Sequence, residues 1–570
     1  MKRIRFGTPE EFVPSKFCKN FNYVETDVKY DVSKIRGKAN ARGYTLILPY
    51  KGEPESIYGF GLQFRQFNFR LSRVAIKTNA DPIAPTGDSH APVPFFVSTE
   101  GYGIFLDTAR NVEYNMGNKL SGVKIVDTAM DSGEGKPRSI IEGPAGECTI
   151  AIQIPVAKGV DVYIIEGDTI TDIVAQYNML AGGGPEVPDW GLGVFYRCHS
   201  KYDAEKVKGM ADYMREKEIP CTILGLEPGW QTDCYPCSFE WNKERFPDPD
   251  DLNNYLAERG FHINLWEHAF VSPKAPFYNE IAPYCSNYDV WEGHVPDFSL
   301  PETRKFFIDH HRNNIIKGCI DGFKLDECDS SDFTGAWSFP NMAEFPSGMD
   351  GELYHALFGT LYAKTMLEAL DGKPTLSEIR QGGPLYASYP FVLYSDLYNH
   401  EDFIRGTVSC GFNGLLWTPE VRHADSKEEL LRRLQTAVFS CQCLINAWYC
   451  EEAPWVKWDC EKEAIEILKL REKVIPMLKE AFETYHKTGV PPIRALVSDY
   501  TSDPNVVDID NQYIFCKNLV VCPIFAGKTE RKVYLPEGDW VDFYTGEKVE
   551  SGTFKVSSEN IPVYVNRARA

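Results

Sequence analysis

The stretch Ile320-Asp321-Gly322-Phe323-Lys324-Leu325-Asp326-Glu327 decides how the fold is read. An apolar run of strand length ends in a carboxylate, and a second one ends at Asp396, in Tyr394-Ser395-Asp396. Strand-end acids often do no more than cap the next helix. These two gain meaning from the rhythm around them. From Asp189 the chain repeats strand, loop and helix: Gly191–Phe195, helix 204–217, Cys221–Leu226, helix 251–259, Phe261–Trp266, helix 301–317, Ile320–Leu325 and helix 350–370, with further strands at 375–377, 391–394 and 414–417. Alternation of this kind over about three hundred residues predicts an α/β fold, a (β/α)8 TIM barrel rather than an open doubly wound sheet. No Gly-rich dinucleotide fingerprint follows any of the strands. In a barrel the C-terminal strand ends converge on one site, and Glu227, Trp266, Asp326, Arg380, Asp396 and Trp417 all fall at or near such ends. Two carboxylates from separate strand ends can cleave a glycosidic bond, one attacking the anomeric carbon and one moving the proton.

On either side of the barrel the chain reads as β. Tyr44–Pro49, Val93–Ser98, Tyr102–Asp107 and Val160–Glu166 are short β-branched and aromatic runs separated by Gly, Pro, Asn and Asp, the pattern of a sandwich. Gly182–Pro188 has the composition of a boundary. The amphipathic segment Glu461–Tyr485 ends the barrel, and 512–515, 519–524 and 531–535 are strand-like again. The expected organisation is an N-terminal β-sandwich over 1–185, a catalytic barrel over 186–488 and a C-terminal β domain over 489–570.

The 570 residues are 43% hydrophobic and 13% aromatic, with a formal charge of −21. That charge repels polyanions, which argues against nucleic acid or an anionic membrane as partner. No apolar run reaches membrane-spanning length. The basic start, Met1 to Glu10, lacks the apolar core of a signal peptide, so a cytoplasmic protein is expected. Sixteen scattered cysteines suit a reducing compartment. Cys234 and Cys237, and Cys441 and Cys443, lack a second pair at zinc-ligand spacing, so no metal and no cofactor is expected. A small carbohydrate substrate is the expected partner, and a homo-oligomer is compatible with the sequence.

The motifs resemble those of glycoside hydrolase family 31, the retaining α-glycosidases, over nearly the whole chain. Tyr58–Gly61, Pro94–Val97 and Gly101–Leu106 are similar to that family's N-terminal sandwich. Gly322–Asp326 resembles its nucleophile motif, in the variant with a lysine two places before the Asp that marks the α-xylosidase-like branch. Arg380 and Asp396, sixteen residues apart, resemble its pocket arginine and acid/base, and Gly411–Trp417 the following strand. Leu470–Leu478, Gly489–Arg494, Asp508–Tyr513 and Tyr534–Gly546 follow the family's order. There are departures. Asp329 stands where a Glu is usual, Tyr394-Ser395-Asp396 replaces Trp-Gly-Asp, and Glu420 is the acid after the last barrel tryptophan. No histidine occurs between Ala424 and Tyr485, where starch-type members carry one that binds a sugar hydroxyl; Trp448 and Glu451 lie near its place.

The resemblance implies that Asp326 is the nucleophile and Asp396 the acid/base of a double displacement, with the carboxyls about 5–5.5 Å apart. Asp396 is expected to stay protonated beside Tyr394 and Asp326. Glu327 competes as nucleophile, but on a regular strand it would face away from Asp326. Glu227, in Leu226–Gln231, is expected to bind sugar hydroxyls with Lys324 and Arg380. Trp230, Trp266, Trp417 and Trp448 are expected to contact the ring, and the loop Lys77–Asp81 to reach over the barrel mouth. The function implied is that of an exo-α-glycosidase on small oligosaccharides, favouring an α-galactoside-like hexose. α-Glucosidase, α-xylosidase, α-transglycosylase and a non-catalytic carbohydrate-binding protein stand as alternatives.

Overall fold

The computed structural model describes residues 1–80, 85–119, 124–127, 140–142, 148–332, 334–396, 399–422 and 424–569. Two five-stranded antiparallel sheets form the N-terminal sandwich. In one, Gly159–Glu166 and Tyr102–Asp107 are central, flanked by Lys2–Gly7 on one side and by Pro92–Ser98 and Ile57–Gly61 on the other. The other runs Arg36–Asn40, Gly43–Pro49, Cys148–Pro155, Val112–Lys119, Arg73–Ile76. Along Gly43–Pro49 burial alternates residue by residue, placing Tyr44, Leu46 and Leu48 between the sheets with Ile150, Ile152 and Ile154. An 11-residue helix, Ile170–Leu180, follows the sandwich with a Thr169/Asp172 capping box that the strand-oriented reading omits.

The barrel strands are parallel, in the spatial order Phe391–Leu393, Ser377–Ile379, Gly322–Asp326, His262–His268, Cys221–Leu226, Val194–Arg197, Cys443–Asn446. The ring closes through the segment around Trp417–Val421. Leu393 bridges Trp417 on one side and Val421 bridges Ile445 on the other, both in parallel. Eight positions are thereby filled, the last by Cys443–Asn446, which the sequence reading does not include. Of the expected strand 414–417, Trp417 makes a single bridge, and the other bridge of the segment lies beyond it at Val421. Strands such as Val194–Arg197 and Cys443–Asn446 are buried along their whole length, as strands covered on both faces must be. Four of the outer helices start at side-chain caps, Asp203, Asp248, Asp350 and Ser426.

The helix Glu461–Thr488 ends at Gly489 in the left-handed conformation. Its fully buried Arg471 donates to the carbonyls of Leu192, Val438, Ser440 and Cys441, tying the helix to the barrel. A six-stranded sheet containing Ile493–Ala495, Tyr513–Phe515 and Leu519–Val521 follows, with a separate antiparallel pair of strands, Glu530–Leu535 and Gly552–Ser557. All sixteen cysteines are free thiols. Among the described residues no helix is long and apolar enough to cross a membrane.

Candidate active site

Asp326 closes the strand Gly322–Asp326, paired in register with His268 of the neighbouring strand. Trp266, two residues earlier on that neighbour, sends its indole N–H to Asp326 Oδ2 at 2.7 Å. The backbone N–H of Glu327 donates to Oδ1 at 2.9 Å. The strand does not stay regular here, because Glu327 has φ +54°. The expectation that alternation turns Glu327 away from the site is therefore corrected: burial, then the charge of Asp326, holds its carboxyl well above the usual range.

Arg380, just past the strand Ser377–Ile379, joins the acids. Its Nη1 donates to Asp396 Oδ2 at 2.6 Å, and its Nε lies 4.0 Å from Asp326 Oδ1. Nε and Nη2 both stand 3.0 Å from Asp329 Oδ2. Burial alone would raise the Asp329 carboxyl, but Arg380 and His90 hold it below its ordinary value. His90 comes from the sandwich: its Nδ1 is 2.9 Å from Asp329 and its Nε2 2.9 Å from Ser395 Oγ, and the His90 and Asp329 side chains are wholly buried. Lys77 approaches Asp332 at 3.3 Å and Gln381 donates to Thr78, so the described part of the sandwich loop does lie against the barrel; Asp81 is outside the described residues.

Asp396 departs from expectation. Its second oxygen accepts from Arg422, whose guanidinium stacks over Trp448 at 5.1 Å. Desolvation, which would raise the carboxyl, is outweighed by Arg380 and Arg422, which hold it well below the carboxylate range. This environment favours the charged form of Asp396, opposite to the environment that the sequence suggests.

Beneath these groups lies a second arginine. Arg197 is wholly buried and donates to Glu227, to Glu378 Oε2 at 2.6 Å and to Asn264 at 2.8 Å. Lys324 Nζ sits 3.4 Å from Glu227 and 4.8 Å from the centre of the Tyr394 ring. Burial is overridden at Glu227 by Arg197 and Lys324, which lower it, but prevails at Glu378. Glu420 is pushed up to about 7 by burial; its Oε2 accepts from Asn446 at 3.0 Å while Oε1 is buried without a hydrogen bond. Such an orphaned oxygen is a ready partner for a substrate hydroxyl.

The tryptophans divide. Trp448 is partly exposed near Asp396. Trp230 and Trp417 are fully buried. Trp230 donates to the carbonyl of Trp266, and Trp417 packs against Phe64 and Phe403. Trp266, also buried, holds Asp326 in place and does not wall the pocket. An exposed aromatic on this side is Tyr235, 51% exposed, with its ring against Trp266 and Trp291. Arg197, Glu378, Asn264, His90, Arg422 and Asn446 were missed by sequence reasoning. Glu378 was findable, because it lies two residues before Arg380, within the short strand that Arg380 follows. Arg197 ends a strand whose apolar start was recognised.

Comparison with known proteins bears on this arrangement. Among curated proteins the chain is similar to the α-xylosidase XylQ of Lactiplantibacillus pentosus, 24% identical over 533 residues, covering 87% of this chain and 64% of the relative. It is also 24% identical over 567 residues to α-glucosidase 2 of Bacillus thermoamyloliquefaciens, covering 91% and 67%. The chain thus spans about two thirds of the length of these relatives. Among solved structures it shares the fold of a Flavobacterium johnsoniae GH31 dextranase complexed with glucose (TM-score 0.79, 20% identity, 93% of this chain and 67% of the other). A GH31 α-xylosidase from a soil metagenome, complexed with xylose, gives a TM-score of 0.75 at 20% identity, covering 94% and 81%. The family model for the glycosyl hydrolases family 31 TIM-barrel domain matches residues 184–481, and that for the family's C-terminal domain matches 489–568. With more than half of its length in the barrel match alone, the chain belongs to glycosyl hydrolase family 31.

Proposed function

We propose that the protein is a retaining exo-α-glycosidase with Asp326 as nucleophile and Asp396 as acid/base. The observation that carries this reading is the single guanidinium of Arg380, placed between both carboxylates. Asp326 attacks the anomeric carbon as the bond to the leaving oxygen breaks, and that oxygen takes the proton of Asp396. Water then attacks the same carbon, gives its proton to Asp396 and displaces Asp326, so the α configuration is kept. The carboxylate form of Asp396, which Arg380 and Arg422 favour, is the form required as base in the second step. Its acid form requires a proton and a loosened Arg422.

The expected preference for an α-galactoside-like hexose finds no support among the relatives named above, which are an α-xylosidase and an α-glucosidase, and it is dropped. α-Xylosides and α-glucosides are the proposed substrates, xylosides first, because Lys324 stands where the nucleophile motif resembles the α-xylosidase-like branch. Glu227, Lys324, Arg380, Glu420 and Asn446 are the groups proposed to read hydroxyls. Hydrolysis of 4-nitrophenyl α-xyloside and α-glucoside, with the first-formed sugar followed by NMR, tests the reading. An α anomer supports it; a β anomer, or no turnover of either glycoside, contradicts it.

A further inference from the structure

The sandwich sets His90 beside the acids of the barrel as a fixed point. Its neighbours pin its backbone on both sides. Ser89 donates to the carbonyl of Lys77 at 3.2 Å and accepts from the N–H of Asn79 at 2.9 Å, while the carbonyl of Ala91 accepts from Leu62 at 3.1 Å. The buried imidazole meets the ring of Phe64 edge to face, 5.8 Å between centres. An ionised Asp329, which Arg380 and His90 favour, can only accept, so Nδ1 of His90 carries the hydrogen of their 2.9 Å contact. Among the described residues the other oxygen of Asp329 is buried without a hydrogen bond, so its charge rests on His90 and Arg380.

These contacts close a ring. His90 meets Asp329, Asp329 meets Arg380, and Arg380 donates to Asp396. The chain then steps back one residue to Ser395, whose Oγ is 2.9 Å from His90 Nε2. Asp396 is thus gripped twice, at its carboxylate through Arg380 and at its backbone through the fully buried Ser395. The second grip matters because the strand Phe391–Leu393 stops short of Asp396. Asp326 stands outside the ring: Trp266 and a backbone N–H hold it, and Arg380 Nε lies 4.0 Å away, beyond hydrogen-bond reach.

We propose that His90 is a positioning residue for proton transfer, fixing Asp396 through Ser395 and through Asp329 and Arg380, so that the sandwich takes part in the acid/base step. The proposal rests on the reading of Asp396 as acid/base. A proton donor must stay within hydrogen-bond reach of the leaving oxygen, so a small displacement of Asp396 slows that step while attack by Asp326 is spared.

The test measures kcat and KM for the wild type, His90→Ala, His90→Asn and His90→Gln, each checked for a cooperative melt. Isomaltose and isoprimeverose have leaving groups that need a proton; α-glucosyl and α-xylosyl fluorides do not. The side-chain amide of Asn falls near the place of Nδ1 and that of Gln near Nε2, so each keeps one arm of the ring. In His90→Ala the ratio of kcat on disaccharide to kcat on fluoride should fall about tenfold or more, with KM changed less than about threefold. The fall should be smaller in each amide variant. Adding His90→Ala to Asp396→Ala should lower the ratio no further, because His90 acts through Asp396. An unchanged ratio in His90→Ala, or in both amide variants if the alanine variant does not fold, overturns the positioning role and leaves the glycosidase reading standing. A further fall in the double variant overturns it too. An Asp396→Ala variant that loses both substrate types equally overturns the acid/base reading and this proposal with it.

Discussion

Asp326 and Asp396 share one arginine but are held by different kinds of group. Asp326, 13% exposed, accepts hydrogen bonds from a backbone N–H and a buried indole, donors fixed by the strand and by packing. Asp396, 45% exposed, is held by two arginine side chains, one stacked on a partly exposed tryptophan. A nucleophile must keep its place and charge, whereas a proton shuttle must change its charge twice per turnover. The contrast shows a rigid setting for one role and a releasable setting for the other.

The comparison breaks most visibly at Asp326. Asp326→Ala should lower kcat by on the order of 10^4-fold or more on every substrate, and azide should restore turnover as a β-glycosyl azide. Asp396→Ala should be selective: about 10^2–10^4-fold slower on disaccharides, whose leaving group needs a proton, but far less affected on α-glycosyl fluorides. Equal losses on both would mean that the two carboxylates do not differ in role.

Trp266→Phe sharpens the rigid side. It removes one hydrogen bond to a charged group, worth about 1.5–3 kcal/mol, so kcat should fall about tenfold or more on fluorides and disaccharides alike. A loss confined to disaccharides would place the indole on the leaving-group side.

The smallest effect is on stability and concerns Glu420. Burial raises this carboxyl from 4.5 to about 7 in the folded protein, so between those values the folded state binds more protons than the unfolded state. Its contribution to stability is therefore largest at acid pH and is lost as pH rises through about 7. Glu420→Gln should flatten that dependence, and unfolding free energies at pH 5 and pH 8 should differ between wild type and variant by about 1–3 kcal/mol. A variant whose pH dependence matches the wild type would show that Glu420 is ionised in the fold.

The barrel was legible because its strands are covered on both faces and so read as apolar runs. The strand Cys443–Asn446 was harder to see, because its apolar run is only Cys443, Leu444 and Ile445, set between Gln442 and Asn446. Asp326, Arg380 and Asp396 were legible as strand-end groups. The tryptophans were not, since a strand-end indole reads the same whether it faces a pocket or, like Trp417, packs into Phe64 of the sandwich. Nor was His90, which reaches Asp329 from 239 positions earlier with no local pattern to mark it. Left-handed Glu327 defeated the period-two argument by a single backbone angle.

The most direct measurement of the central claim is to trap the glycosyl-enzyme intermediate with a 5-fluoro-glycosyl fluoride and map the labelled peptide by fragmentation mass spectrometry. The label is predicted on Asp326, with Glu327 unmodified. A label on Glu327 or on Asp396 would contradict the account.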